Sequence, residues 1–588
     1  DKDAGYIATS SLAGSRMNTD LRDTPVALSV FTRDFLDDIG KVDVNQVIEY
    51  GLNTVAEVGA TGNDFNENNF NFRIRGIGSA QRARNYFKTQ LNLDTYNTER
   101  IDFARGPNAI LFGEASPSGV VNTSTKFARL NQDRQSVQLR LASYDDRRVA
   151  LDVNRGFGRN FALRFNAVWQ DAEGYREFEF RKKEAFAFAA TWRPFKSTQV
   201  RVEAESIDIN ENRSRPWSAY DAFTSWETNG RLGAGSPTQW GSGGVAGVTR
   251  LVGGNGMIVA NEGVLAGVPL FMNASAPSTT NDPNQFRVSL GPTNIPGLNQ
   301  PPQVLDFSRH PRDGNLAGAG ARSDSAAQVG GIYLEQQIGE HLTIELAAGA
   351  EYEERLWANP INFAGITVRY DANAYLPTFN AQGQQTGIVA NPNFRRQFTF
   401  GNMTERYFKQ FRVQERATAT YHLDFDKRLT SRPRLGAILG RHRLAGLLSN
   451  EDFISDVRNT REVNISPGRL DANYFAGVNS IQRLSYVDMF SANRAERGHR
   501  DPRSQPLNNA AQANRAGLNA AGSTVTSGFP TDNWTWSKNV LGTRMFAMQN
   551  YFLNGRLVGL FGWRNDDLKS YRSTLVRDAA TQQGTGFI

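Results

Sequence analysis

The chain predicts a mainly β fold in two parts, a small α/β globule over residues 23–130 and a large antiparallel transmembrane β-barrel sheet over residues 131–588. Three observations carry this. Apolar and polar residues alternate with a period of two from about residue 134 onward. The connections between the alternating segments are short and long by turns. Before residue 130 the pattern differs, with short helix signals set between a few strands.

In the first part, Val26, Leu28 and Val30 alternate as a strand. Thr32 then caps a short helix whose Phe35, Leu36 and Ile39 share a face before Gly40 stops it. Asp43 to Tyr50 repeats the device, with Asp43 as cap, Val44, Val47 and Ile48 as the apolar face and Gly51 as terminator. Ile101 and Phe103 alternate with Asp102 and Ala104 as a half-buried strand should, and Arg105-Gly106-Pro107-Asn108 breaks it. Pro107 stands where a helix can begin, Ala109 to Phe112 is a short apolar run, and Gly113 closes it. The β-branched run after Gly119 is a second strand.

In the second part, Val137, Leu139 and Leu141 alternate with Gln138, Arg140 and Ala142, and Val149, Leu151 and Val153 follow in the same way. Phe161 to Trp169 and Phe186 to Trp192 repeat the pattern. Further segments lie at 198–209, 328–337, 341–353, 411–425, 438–453, 544–553 and 556–565, eleven in all. With their flanks, each reaches the roughly 9–11 residues that a tilted strand needs to cross a bilayer. Links after the second, fourth, sixth, eighth and tenth segments are short, including Arg155 to Arg159, Arg193 to Ser197 and Asn554-Gly555, a two-residue hairpin signal. Those after the third, fifth, seventh and ninth are longer, reaching about 210–327, 354–410 and 454–543. Short turns on one side and long loops on the other are the asymmetry of a membrane barrel, and a soluble sheet has no reason to sort loop length by parity.

Composition agrees. Over 588 residues, 39% are hydrophobic and the mean hydropathy is −0.49, low for a membrane protein. A barrel resolves this, because lumen-facing residues and outer loops are polar. No apolar run approaches the roughly 18 residues of a membrane helix. There is no cysteine, so disulfides and thiol chemistry are excluded. The charge of +7 is spread without long runs and is read as a mixed polar surface, not a nucleic-acid footprint. The five histidines show no metal-ligand spacing, Gly76-Ile77-Gly78 lacks the third glycine of a dinucleotide site, and Asp37-Asp38 sits on a short helix's polar face. No enzyme, resident metal or cofactor is expected.

The stretch YNTERIDFARGPNAILFGEASPSGVVNTSTK, Tyr96 to Lys126, resembles the end of the plug domain of TonB-dependent outer-membrane receptors. Glu99, Arg100, Ile101, Asp102, Arg105, Gly106, Pro107, Leu111, Phe112, Gly113, Gly119, Asn122 and Lys126 match its pattern, and Ser118 replaces the first glycine of the usual pair. FRIRGIGS, Phe72 to Ser79, resembles a second plug signature.

This resemblance implies a plug inside a barrel that in the family has 22 strands. Eleven strands cannot close an even-numbered barrel, so the chain is expected to be a fragment with about half of it. The expected domains are a periplasmic segment at 1–22 following an absent TonB box, a plug at 23–130 and the N-terminal half of the barrel at 131–588. The signal sequence is expected to have been removed. The protein is expected as a monomer in the outer membrane of a Gram-negative-type bacterium, in contact with outer-membrane lipid, its plug inserted from the periplasmic side.

Its implied partners are TonB with the inner-membrane energising complex, and a ferric siderophore as cargo. An oligosaccharide or other nutrient is the alternative cargo, and a passive porin or surface-attachment barrel the alternative class. Arg75 and Arg105 match the family's plug–barrel lock arginines, although both could instead hydrogen-bond carbonyls of the plug's own turns. Gln81, Arg82, Arg84 and Tyr86 fall in the outward-facing apex loop and are the candidate ligand-binding residues, with a solvated loop as the plain alternative. Leu91-Asn92-Leu93-Asp94 replaces the family's usual Asp-Gly. Trp217, Tyr220, Phe223, Trp226 and Trp240 could stack a ligand but are read rather as the small core of a folded loop.

Overall fold

The computed structural model describes residues 27–57, 71–74, 78–91, 93–105, 119–212, 307–361 except 309, 396–465, 481–504 and 527–577 except 574, with shorter stretches within 1–20, 220–221, 256–272, 367–393 and 584–587. The expected apolar run at 109–112, Arg75 and the side chains of the aromatic set at 217–240 lie outside the described residues.

The plug begins with β1 (Ala27–Phe31) and α1 (Arg33–Ile39). Thr32 caps α1 by accepting from the Phe35 amide, and Gly40 ends it at φ +62, where a side chain is disfavoured. Next come α2 (Val44–Val47), β2 (Thr54–Glu57), β3 (Asn71–Ile74) and β4 (Gly78–Ser79), the three strands forming a small sheet. The main plug sheet adds β5 (Gln81–Arg84), β6 (Phe87–Lys88), β7 (Thr98–Arg105) and β8 (Gly119–Thr125), in the order β1-β7-β8-β5-β6. Only the β8–β5 pairing in this sheet is parallel.

One local expectation is corrected here. The strand at 101–104 is not half-buried: Ile101, Asp102, Phe103 and Ala104 are all buried. β7 lies between β1 and β8 and both its faces are covered, so alternation in the sequence reports chemistry but not exposure.

The wall is one continuous sheet of eleven antiparallel strands in chain order. They are β9 (Arg134–Ala142), β10 (Asp146–Phe157), β11 (Phe161–Glu173), β12 (Phe180–Phe195), β13 (Thr198–Asn212), β14 (Arg322–Ile338), β15 (Leu342–Asn359), β16 (Thr404–Asp424), β17 (Arg441–Arg461), β18 (Thr531–Phe552) and β19 (Leu557–Ser573). Each matches one of the eleven alternating segments. On β11, Ala162, Arg164, Asn166, Val168 and Gln170 are buried on the lumen side, while Phe165 and Trp169 are exposed outward. Phe165 pairs across the ladder with Phe188 of β12, also exposed outward, as lipid-facing aromatics do.

The wall strands overrun the expected segments at the long-loop end. β14 starts at Arg322 rather than 328, β15 runs to Asn359 rather than 353, β16 starts at Thr404 rather than 411, β17 runs to Arg461 rather than 453, and β18 starts at Thr531 rather than 544. Above the lipid both faces of a strand meet water or polar partners, so the hydropathy period fades while the backbone ladder continues. The link after β16 also differs: α3 (Phe425–Arg428) and α4 (Pro433–Leu439) occupy residues read as strand ends and turn. Pro433 starts α4 at a position where its missing N–H costs nothing.

The long loops are joined to one another. Segments 220–221, 367–370, 397–401, 481–486, 256–260 and 269–272 form one six-stranded sheet in that order. Buried Arg483 pairs with buried Glu462 beneath it, and His499 Nδ1 shares a 2.9 Å hydrogen bond with Thr399. Arg494 and Arg497 both reach Glu177 in the link between β11 and β12, at 3.1 and 2.7 Å.

Candidate functional site

The plug meets the lumen face of the wall through a few apolar contacts and four polar nodes. Its core of Phe31, Leu36, Val47, Leu93, Ile101, Phe103 and Val121 continues into small or branched wall residues such as Val168, Ala185 and Ile207. The nodes are where charge is buried. A buried charge is tolerated only when paired and hydrogen-bonded, so these positions are the most constrained in the interface.

The first node is Asp94, the residue before a short 3-10 turn at Thr95–Asn97. Its carboxylate accepts from the Tyr96 amide at 2.8 Å, from both terminal nitrogens of Arg148 on β10 at 2.6 and 3.1 Å, and from Lys183 on β12 at 2.8 Å. Burial alone would raise the Asp94 pKa; Lys183 and Arg148 outweigh it and hold the carboxyl well below the usual range. Asp43, bridged to Asp94 through the backbone, faces Arg181 of β12 at 3.3 Å.

The same turn carries the second node. Glu205 of β13 accepts from Tyr96 Oη at 2.5 Å and from Asn97 Nδ2 at 3.0 Å, and it is ion-paired with Arg84 of β5. Burial pulls the Arg84 guanidinium down, but Glu205 and Glu203 raise it further, so it stays charged. Burial and the Glu205 carboxylate together push the Tyr96 phenol far up, which keeps it a donor. Two positions along β13, Glu203 accepts from Asn85 and Thr125 of the plug, each at 2.6 Å, and from Tyr333 of β14 at 2.8 Å.

The third node lies where the plug runs into the wall. Lys126 donates to Asp152 of β10 at 2.9 Å, and Arg164 of β11 grips the same carboxylate with two nitrogens at 2.8 and 2.7 Å. Burial and the nearby Arg33 push the Lys126 amine down to about 8, although Asp152 opposes this. A cavity of about 170 Å³ opens beside this node, lined by Arg33, Lys126, Arg134, Asp152 and Arg164 among others.

The fourth node reaches the later strands. Thr89 donates to Glu351 of β15 at 2.5 Å, and Gln414 of β16 both donates to and accepts from the Lys88 backbone at 2.9 Å. Arg416 lies over the Phe87 ring at 4.7 Å. Gly349 leaves room for that ring: a Cβ there would stand 3.1 Å from it.

Against this geometry the candidate residues fall as follows. Arg105 donates to the Ser29 hydroxyl at 3.1 Å and the Leu52 carbonyl at 3.4 Å, both within the plug. Arg84 points into the wall, because β5 is paired in parallel with β8 and its alternate residues turn toward β13. Tyr86 packs beside the cluster of Ala83, Ala104 and Val120, and its amide bonds Asn122 at 2.8 Å. Arg84 thus lies in the plug–wall interface, and Tyr86 is half-buried against the plug's own core. Gln81 and Arg82 are half-buried; Arg82 reaches the Leu91 carbonyl at 3.4 Å, and Gln81 bonds the Arg82 carbonyl at 2.9 Å.

The sequence reading missed Asp94, Asp152, Glu203, Glu205 and Glu351. A signal existed for two of them: Glu203 and Glu205 share the parity of buried Ile207 and Ile209 on β13, so both face the lumen.

A small folded α/β unit set against one face of a barrel-type wall is the architecture of a plugged β-barrel. Residues 20–120 match the family model TonB-dependent Receptor Plug Domain. The match places the plug of this chain beside those of TonB-dependent receptors. It is 27% identical over 224 residues to the metal-pseudopaline receptor of Pseudomonas aeruginosa and 25% identical over 214 residues to the ferrioxamine receptor of Yersinia enterocolitica; each match covers 34% of this chain and 29% of the relative. In fold it resembles the ferric preacinetobactin receptor of Acinetobacter baumannii, with a TM-score of 0.55 at 14% identity, over 97% of this chain and 63% of that one. The ferripyoverdine receptor of Pseudomonas aeruginosa gives 0.54 at 12%, over 99% and 57%. The chain spans less than two thirds of all four.

Proposed function

We propose that this chain is the plug and part of the barrel of an importer that takes up a scarce solute, most simply a ferric siderophore, across an outer membrane with energy delivered through TonB. The observation that carries the reading is the polar character of the plug–wall interface. Four nodes of hydrogen-bonded charge and a few small apolar contacts hold the stopper, so it can be rehydrated and rearranged without unfolding the wall. A passive pore has no use for such a stopper.

In this reading the short turns and α3–α4 face the periplasm, and the plug enters from that side. The joined long loops face outward and form the receptor surface. Sixteen curated relatives match, and those named above are receptors for metal or iron chelates, which supports that class of cargo. The nodes at Glu205 and Asp94 hold the plug at rest, and a pull on the amino-terminal segment breaks them. Arg75 and Arg105 belong to the same proposal as further lock residues, Arg105 acting from the plug's own sheet.

The test is uptake by cells expressing the receptor, comparing radio-iron on mixed siderophores with labelled oligosaccharides, with and without a proton-gradient uncoupler. Iron entry that collapses with the uncoupler is the expected result. Energy-dependent sugar entry keeps the mechanism and replaces the cargo. Entry indifferent to the uncoupler overturns the mechanism.

A further inference from the structure

The lumen side of β9, β10 and β12 near the long-loop end carries more positive charge than the wall itself neutralises. Arg140, Arg148, Arg181 and Lys183 face four acids, of which Asp146 and Glu211 belong to the wall and Asp43 and Asp94 to the plug. Asp146 is engaged by Arg140 at 3.5 Å and by Gln170 at 2.9 Å, and Glu211 by Arg181 at 3.6 Å. Among the described residues, Arg148 and Lys183, 3% and 2% exposed, share Asp94 as their only ion-paired carboxylate.

Withdrawal of the plug removes Asp94 and leaves two adjacent cations on the lumen wall without their shared carboxylate. Clustered charge of one sign lining a lumen concentrates counterions at that place. Arg148 is also built for more than one partner. Its terminal nitrogens bind a carboxylate as a fork, and its Nε, buried, makes no hydrogen bond among the described residues even with the plug in place.

We propose that Arg148 and Lys183, with Arg181 beside them, form an anion station in the barrel wall. The plug's Asp94 and Asp43 occupy it at rest, and a carboxylate-bearing solute occupies it when the plug withdraws. The proposal rests on the plug moving during import. Both resident ligands are carboxylates, which sets the class of the exchanging anion. Solute and plug compete for the same cations, so the return of Asp94 expels the occupant.

The experiment uses the purified protein in detergent and citrate as the probe, with chloride as the control. Asp94→Asn empties the station of its main carboxylate, and citrate is expected to bind this variant at least tenfold more tightly than wild type and to raise its thermal midpoint. Adding Arg148→Gln and Lys183→Gln is expected to abolish the effect. Equal citrate binding by wild type and the Asp94→Asn variant, no binding by that variant, or binding that survives the added substitutions overturns the station. If Asp94→Asn folds poorly, recovery of folded protein in citrate but not in chloride supports the proposal, and equal recovery in both overturns it. Uptake does not enter this measurement, so failure of the import reading and failure of the station are seen separately.

Discussion

Tyr96 of the plug donates its hydroxyl to Glu205 of the wall at 2.5 Å, and the same carboxylate also takes Asn97 and Arg84, so one wall side chain fixes two plug segments at once. Glu205 is itself buried. Glu205→Gln removes the charge that answers Arg84 and leaves a buried guanidinium unbalanced, a change of about 3–5 kcal/mol. Hydrogen exchange should rise at 81–88 and 95–98 while the β10–β12 ladder stays protected. Unchanged protection at 95–98 would show that this node does not hold the plug.

Gly119 opens β8 at φ +132, and a Cβ there would stand 2.2 Å from the Ala104 carbonyl oxygen. Neither the backbone conformation nor the contact can be relieved by a rotamer. Gly119→Ala is expected to destabilise the β7–β8 pairing by more than ~2 kcal/mol. Loss of amide protection at Val120 and Val121 is the readout, and wild-type protection there would refute the prediction.

Phe165 faces outward beside Phe188 in the middle of β11. Phe165→Arg places a charge in the lipid and is expected to weaken wall folding by ~2–4 kcal/mol. The comparison is Thr198→Arg, on the outward parity of β13 at its short-turn end, where water is close. Equal denaturation midpoints for the two variants would mean that the outward face of β11 does not meet hydrocarbon.

His499 is buried in the loop assembly, and burial together with Arg483 pushes its pKa from 6.5 down to about 3. Between those values the unfolded segment binds a proton that the folded one refuses, so the sign is fixed: stability is complete above pH 6.5 and is lost as pH falls toward 3. Each pH unit in that window withdraws up to ~1.4 kcal/mol. Limited proteolysis of the loops should accelerate between pH 7 and 5, and His499→Gln should flatten the profile. An acid response identical in wild type and variant would assign the effect elsewhere.

Much of this architecture was legible because lipid imposes a strict alternation on every spanning strand. All eleven wall strands and the capped helix at Arg33–Ile39 were readable from their own residues. The strand ends above the lipid were not, since Glu353, Glu354 and Arg355 alternate nothing although the ladder continues through them. The interface was less legible still. Parity tells that Glu205 faces the lumen, but not that its partner is Arg84 rather than Arg105, because that choice depends on how β5 pairs with β8. The sheet shared by three long loops left no signal at all, its strands being short and joined across more than a hundred residues.

The spacing of the plug–wall contacts along the chain has a kinetic consequence. Neighbouring wall strands can pair one after another as the chain is laid down, each new strand finding its template beside it. The plug is only partly seated that way: its bonds to Asp152 and Arg148 span 26 and 54 residues, but those to Glu203, Glu351 and Gln414 span 118, 262 and 326. Contacts so distant in sequence form late, since the intervening chain must be ordered before they bring any gain. Although the plug precedes the wall in the chain, its contacts with the later strands therefore form after those strands have paired.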